Sequence, residues 1–183
     1  MMEQSDSDIE KRVTVHHHFS IVEVLEKIPL FKGLSLRQFK KIIGICTKQN
    51  ISKNDFICRA REESLCMFIL LQGILQVVLE DGKEVSRINP ISTVGEMGVF
   101  TGEHRSATII AGTDGILLEI RKIELMRVLR EDVSLSTQVL FNVINELSLK
   151  IRRDNLIIDG LRQVCPPEQW TKIIQEANKS VEG

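Results

Sequence analysis

The chain has 183 residues, which suits one domain with extensions and a core that needs no metal or disulfide for stability. Its 24 basic and 25 acidic residues give a formal net charge of -1, so the sequence predicts no general attraction for nucleic acid. No apolar run approaches the length of a membrane span, and the polar N-terminus lacks the features of a secretory signal, so we expect a soluble, cytoplasmic protein without membrane insertion.

The first part of the chain reads as a polar extension followed by two helices. Residues 1–18 are polar and charged, and we expect them to be disordered. Apolar residues then recur three or four positions apart from Ile21 until Pro29 stops the helix. Ser35 is a candidate N-cap for a second short helix that ends near Gly44.

From about residue 45 to 121 the pattern changes to short apolar segments separated by turn signals. The dipeptide Asp81-Gly82 predicts a two-residue hairpin loop, because both central positions of a type I′ turn need positive φ. Strands that recur at about ten-residue spacing are typical of a sandwich or a small barrel.

Helical periodicity returns after residue 121. One helix precedes a break near Glu131 and Asp132, and a long helix is predicted over 134–163. Its apolar residues follow a heptad spacing at Leu140, Ile144, Leu147, Ile151, Ile158 and Leu161. Asp154 occupies a seam position, where a polar side chain either meets a partner or ligand or marks a solvated exit from the core. A tail over 164–183 contains a short helix with Trp170.

The stretch VGEMGVFTGEHRSATII interrupts the predicted strands with glycines and charges. Gly95 and Gly98 allow close backbone approach around one turn of helix, whose unpaired N–H groups suit an anion. Arg105 could supply two parallel donors to a phosphate, with the Ser106 hydroxyl beside it. Glu96 only accepts hydrogen bonds and would suit a sugar hydroxyl. A sugar-phosphate pocket is one interpretation, and a glycine-rich turn closed by a Glu96–Arg105 ion pair is the other.

This stretch resembles the phosphate-binding cassette of the cyclic nucleotide-binding domain family, which includes the bacterial catabolite activator protein, protein kinase A regulatory subunits and cyclic-nucleotide-gated channels. Gly95-Glu96 and Arg105-Ser106-Ala107-Thr108 match the cassette in order and spacing. Upstream, IPLFKGLS and MFILLQGILQVV resemble the family's entry turn and a strand pair, and residues 122–161 resemble its B and C helices.

The resemblance implies an α+β fold: an eight-stranded β jelly-roll barrel flanked by N-terminal helices and a long C-terminal helix. The domain would cover residues 19–163, between the extension (1–18) and the tail (164–183). Within it, Glu96 would accept the ribose 2′-hydroxyl and Arg105 would pair with the cyclic phosphate. The implied ligand-binding residues are Gly95, Glu96, Met97, Gly98, Arg105, Ser106, Ala107, Asp154 and Asn155.

The implied ligand is a cyclic purine nucleotide with no metal. Ser106 follows the arginine as in the bacterial activator, which favours cyclic AMP, whereas Asp154 on the C helix could accept hydrogen bonds from guanine and favour cyclic GMP. Asp154 and Asn155 fall about where the activator places its base-contacting residues.

The resemblance implies a sensor, not an enzyme, that changes an unidentified protein partner through its C helix. About twenty residues follow position 162, too few for the activator's DNA-binding module, so we expect a stand-alone domain that binds no DNA. The heptad seam suggests a homodimer through the C helix. The main alternative is a barrel that binds no nucleotide and serves as an interaction module. A cupin-type metal enzyme is disfavoured because His104 is the one histidine outside residues 16–18.

Overall fold

The computed structural model describes residues 21–79, 82–164 and 169–170, and shows helices, then strands, then helices along the chain. The helical elements are α1 (Ile21–Glu26), a 3₁₀ turn (Pro29–Phe31), α2 (Leu36–Gly44), α3 (Glu96–Thr101), α4 (Lys122–Glu131) and α5 (Val133–Val164). The strands are β1 (Cys46–Ile51), β2 (Phe56–Cys58), β3 (Cys66–Gln72), β4 (Leu75–Val78), β5 (Glu84–Ile88), β6 (Ser92–Val94), β7 (Thr108–Ala111) and β8 (Gly115–Arg121).

Eight antiparallel strands form two four-stranded sheets. One sheet has the order β1-β8-β3-β6 and the other the order β2-β7-β4-β5. Consecutive strands therefore often lie in different sheets, as expected for a jelly roll. The predicted α+β fold with eight strands and flanking helices is confirmed, and the barrel is two facing sheets, not one closed cylinder.

The core lies between the two sheets and continues behind β3. Residues 67–71 of this strand are all buried. Phe68 and Leu70 join Leu75, Ile109 and others in one apolar cluster between the sheets. Because side chains alternate along a strand, Met67 and Ile69 are buried on the opposite face. The strand is therefore covered on both sides, which explains its continuous apolar sequence.

Polar caps fix the helix ends that the sequence predicts. The Ser35 hydroxyl accepts from Gln38 N, and the Gln38 side chain accepts from Ser35 N, which is a capping box. Asp132 separates α4 from α5, and its carboxylate accepts from Leu135 N at 3.0 Å and from Lys41 Nζ at 2.7 Å. The hydrogen bond from Lys41, followed by the one from Leu135, lowers the pKa of Asp132. The predicted break near Asp132 is confirmed.

The hairpin between β4 and β5 is present, but its loop differs from the prediction. Leu79 N donates to Lys83 O at 3.0 Å, which leaves three residues between these two partners. Gly82 takes φ +81° and donates to Leu79 O at 2.9 Å. The two-residue loop is therefore wrong, because a glycine with positive φ closes a three-residue connection instead. Asp81 lies outside the described residues.

The chain divides into two compact units, residues 1–142 and 143–183. Helix α5 continues from the first unit into the second. The predicted disordered extension (1–18) and nearly all of the tail (164–183) lie outside the described residues, so those domain boundaries stay predictions.

Asn142 is a buried polar residue that holds α5 to the 3₁₀ turn within the first unit. Its Nδ2 donates to Leu30 O at 3.0 Å and to Lys32 O at 2.9 Å, and its Oδ1 accepts from Gln138 Nε2 at 3.2 Å. The side-chain amide of Asn142 thus donates to two backbone carbonyls that have no partner in a helix or a sheet.

We predict that Asn142→Ala lowers the free energy of unfolding by about 1–3 kcal/mol, because it leaves buried carbonyls unpaired. Urea denaturation measures the change. Asn145→Ala is the matched control, since Asn145 lies on the same helix and is exposed, and it should be neutral or slightly stabilising. Equal effects of the two substitutions would contradict the role of Asn142.

Candidate functional site

The predicted cassette begins with a left-handed glycine and a short helix. Gly95 takes φ +79° at the position that precedes α3, and Gly102 takes φ +84° at its end. Positive φ favours glycine because it has no Cβ. The predicted turn of helix is confirmed, and it lies between β6 and β7, where the sequence leaves the core and returns to it.

Arg105 turns into the protein from the segment after α3. The residue is only 7% exposed. Its Nη2 donates to Cys66 O at 2.5 Å at the start of β3, and its Nη1 donates to Gly95 O at 3.2 Å. The guanidinium carbon also lies 5.9 Å from the centre of the Phe68 ring. The guanidinium thus links β3 to the residue that caps α3.

The guanidinium explains why position 95 is a glycine. A Cβ on Gly95 would overlap Arg105 Nη1 and would lie 2.8 Å from the guanidinium carbon. Real Cβ atoms essentially never approach heavy atoms below 3.0 Å. The positive φ of Gly95 therefore favours glycine, and a side chain at this position would displace the guanidinium of Arg105.

No carboxylate neutralises Arg105 within the described residues. Its side-chain hydrogen bonds go to two backbone carbonyls and the Cys66 sulfur, so the Glu96–Arg105 ion pair considered from the sequence does not form. Glu96 is half-buried at the first position of α3. A buried cation with neutral acceptors retains its full charge, and an anion in contact with it would gain from the low local dielectric.

The positive charge of Arg105 affects the pKa of two neighbouring thiols, those of Cys58 and Cys66. Burial raises the pKa of Cys66, Glu119 raises it further, and Arg105 opposes both. Burial likewise raises the pKa of Cys58, and Arg105 again opposes it. Both thiols are therefore predominantly protonated at neutral pH, and the guanidinium is a substantial local source of positive potential.

The loop between β2 and β3 holds the backbone of Arg105. Arg61 N donates to Arg105 O, and Arg105 N donates to Glu62 O, each at 2.8 Å. Arg61 takes φ +68°, which is uncommon for a residue other than glycine. The next two residues, Ser106 and Ala107, have backbone N–H groups without an acceptor in the described part of the chain. Those groups are available to a ligand.

The structure brings seven of the nine predicted site residues into one segment. Gly95 to Gly98 lie at the start of α3, with Met97 exposed, and Arg105 to Ala107 lead into β7. Asp154 and Asn155 lie elsewhere, on the part of α5 that belongs to the second unit, and both are exposed.

Sequence reasoning missed three components of this site. They are the carbonyl of Cys66, the backbone groups of Arg61 and Glu62 that hydrogen-bond to Arg105, and the buried hydroxyl of Ser64. Backbone groups carry no side-chain signal, so the first two could not be found from residue spacing. Ser64 lies between charged and apolar residues and looks like an ordinary loop serine.

A cavity of about 260 Å³ opens elsewhere, between the edge strands β1 and β2. Its lining residues are Gln49, Asn50, Ile51, Asp55, Phe56, Ile57 and Phe68. Gln49 Nε2 also donates to the Glu119 carboxylate on β8, the residue paired in register with Phe68. Phe68 lines this cavity, and its ring centre lies 5.9 Å from the guanidinium carbon of Arg105.

In residues 21–79, 82–164 and 169–170, no three His, Cys, Asp or Glu side chains are placed to hold a metal ion. None of the helices in these ranges combines the length and the apolar character that a membrane crossing requires.

Comparison with known proteins agrees with this geometry. Residues 48–132 match the family model described as the cyclic nucleotide-binding domain. The cAMP-dependent protein kinase type II regulatory subunit of Drosophila melanogaster is 24% identical over 109 residues, which are 60% of this chain and 29% of that protein. The chain spans less than a third of the length of the curated relatives that it matches.

Solved structures share the fold. The catabolite activator protein of Thermus thermophilus superposes with a TM-score of 0.62 at 20% identity, covering 73% of this chain and 62% of that one. The regulatory subunit of a cAMP-independent protein kinase A from Trypanosoma brucei gives 0.59 at 22% identity, covering 70% and 44%. Residues 48–132, which hold the cassette and most of the two sheets, thus match the cyclic nucleotide-binding domain family.

Proposed function

We propose that this chain is a receptor for a cyclic purine nucleotide, with cyclic AMP as the preferred ligand, and that it acts by binding and not by catalysis. The observation that carries the proposal is the buried guanidinium of Arg105, which no described carboxylate neutralises. A cyclic phosphodiester bears one negative charge shared by two exocyclic oxygens, which suits a guanidinium with parallel donors. The cAMP-dependent relative from Drosophila supports the choice of nucleotide.

The remaining cassette residues would complete the site around the phosphate. The N–H groups of Ser106 and Ala107 and those of the first turn of α3, at Glu96, Met97 and Gly98, would donate to its oxygens. The Glu96 carboxylate would accept the ribose 2′-hydroxyl. In the described arrangement Arg105 donates to Gly95 O through Nη1 and to Cys66 through Nη2, and Nε–H and the second Nη1 hydrogen would donate to the phosphate oxygens.

We further propose that the C-terminal half of α5 provides the output. Asp154 and Asn155 would contact the base. Their side chains are exposed and belong to neither a sheet nor the apolar core. The ligand can shift the helix only through a difference in affinity between two arrangements of it. Cyclic GMP is the alternative ligand, because the Asp154 carboxylate could accept from guanine.

A nucleotide-independent interaction module is the second candidate function. The two carbonyls already bonded to Arg105 favour it, because they partly solvate the cation without a ligand. The similarity to a regulatory subunit of a cAMP-independent kinase points in the same direction. Calorimetric titration of the chain with cyclic AMP and cyclic GMP separates the two functions. Binding of neither nucleotide would overturn the receptor proposal.

We predict that Arg105→Leu weakens cyclic AMP binding about 30-fold or more, since truncating one partner of a buried charge pair costs roughly 2–5 kcal/mol. Arg87→Leu is the matched control, because Arg87 lies on β5, is exposed and pairs with Glu84, outside the cassette. Circular dichroism establishes that both variants fold. A folded Arg105→Leu protein with unchanged affinity would remove the phosphate from this position.

We predict that Glu96→Ala weakens cyclic AMP binding about 10- to 100-fold, because a hydrogen bond to a charged group contributes roughly 1.5–3 kcal/mol. The same substitution should leave the affinity for 2′-deoxy cyclic AMP nearly unchanged, since that ligand lacks the hydroxyl. Glu103→Ala, which changes an exposed carboxylate in the same cassette, is the control for net charge. Equal losses for both ligands would contradict the assigned contact.

We also propose a homodimer through α5. The heptad side chains of the helix are exposed in the single chain, and they include Leu140, Ile144, Ile151, Ile158 and Leu161. A heptad seam of this kind buries its apolar residues when two helices pair.

We predict that Ile151→Lys shifts the mass measured by light scattering towards the 20.8 kDa monomer, because it places a charge in the seam. Leu149→Lys should leave the mass unchanged, since position 149 lies opposite the seam. The two side chains are 59% and 55% exposed in the single chain, so the variants differ mainly in their heptad position. A wild-type chain that stays at 20.8 kDa at all concentrations would contradict the dimer.

A further inference from the structure

Ser64 carries a buried hydroxyl that the proposed mechanism does not use. The residue lies in the loop before β3 and is 6% exposed. Its Oγ has no hydrogen-bond partner among the described residues. Native proteins pair nearly all buried polar side-chain atoms, because an unpaired one loses its hydration without compensation. An unpaired hydroxyl at this position therefore needs an explanation.

The hydroxyl lies beneath the cassette helix. A Cβ on Gly98 would overlap Ser64 Oγ and would also lie 2.7 Å from Glu103 O. The hydroxyl and this carbonyl oxygen thus flank the same point without bonding to each other. Glu103 belongs to the segment that leads from α3 to Arg105, so a small displacement of that segment would bring donor and acceptor together.

The loop that carries Ser64 is fixed to the arginine end of the cassette. Arg61 and Glu62 hold the backbone of Arg105 by two hydrogen bonds of 2.8 Å. Ser64 is therefore tied to Arg105 through its loop, whereas Gly98 belongs to α3. Any ligand that draws the helix towards the guanidinium must change the geometry around the Ser64 hydroxyl.

On the basis of the proposed function, we infer that Ser64 is a positioning residue for nucleotide binding. Its hydroxyl is unpaired in the described arrangement and donates to Glu103 O when the cassette closes on the cyclic phosphate. The hydrogen bond gained on closure adds to the affinity for the nucleotide, although Ser64 does not touch the ligand.

Substitution of Ser64 tests the inference because affinity and stability should respond in opposite ways. Ser64→Ala should bind cyclic AMP about fivefold to tenfold more weakly by calorimetry. Its melting temperature without nucleotide should equal or exceed that of the wild type, because the substitution removes an unpaired buried group. Ser64→Cys keeps a weak donor of similar shape, so its affinity should be intermediate. Ser86→Ala, on the exposed face of β5, is the control.

The outcomes are distinct. Wild-type protein that binds neither cyclic AMP nor cyclic GMP would overturn the proposed function and this inference with it. Wild-type protein that binds, with a Ser64→Ala affinity within twofold of it, would overturn the inference alone. A lower melting temperature for Ser64→Ala without nucleotide would also overturn it, because the hydroxyl would then already stabilise the protein.

Discussion

The buried guanidinium of Arg105 is the interaction on which the site depends. It joins the beginning of β3, through Cys66 O, to the residue that caps the cassette helix, through Gly95 O. Both partners are neutral, so the cation is solvated but not neutralised. A carboxylate in place of these two carbonyls would have neutralised the cation. The core would then be stable, but the site would not attract an anion. The arrangement fixes the cation in position before any phosphate reaches it, which reduces the entropy lost on binding.

In the jelly roll, the segments that connect the strands position Arg105 more than the strands themselves do. The cassette leaves the core after β6 and returns to it at β7, so its helix and its arginine are held at both ends. The loop after β2 then pairs with the arginine backbone on one side and packs Ser64 under Gly98 on the other. Gly95 and Gly98 accordingly make room for side chains of the protein itself, in addition to any approach by a ligand.

Much of this architecture can be predicted from the sequence, and the features that cannot be predicted have a physical explanation. The capping box at Ser35, the break at Asp132 and the long helix are local features, so nearby residues specify them. The cassette can be recognised in the sequence because its side chains carry the chemistry that suits a sugar phosphate. The contacts of Arg105 with Cys66 O and of Ser64 with Gly98 join positions more than 30 residues apart, and they involve backbone atoms. The three-residue loop before Lys83 cannot be predicted from its dipeptide, because Asp-Gly fits more than one hairpin.

The double-sided burial of β3 has a consequence for how the chain reaches its native state. The segment MFILL is uncharged and wholly apolar and contains the β-formers Phe68 and Ile69, which is the pattern of aggregation-prone sequences. Its partner strand β8 is synthesised about 50 residues later, with Phe68 opposite Glu119. Until then the strand has no complete sheet to join, and non-local pairing of this kind is intrinsically slow. The nascent chain thus passes through a period of vulnerability to self-association, during which chaperones would determine the yield of folded protein.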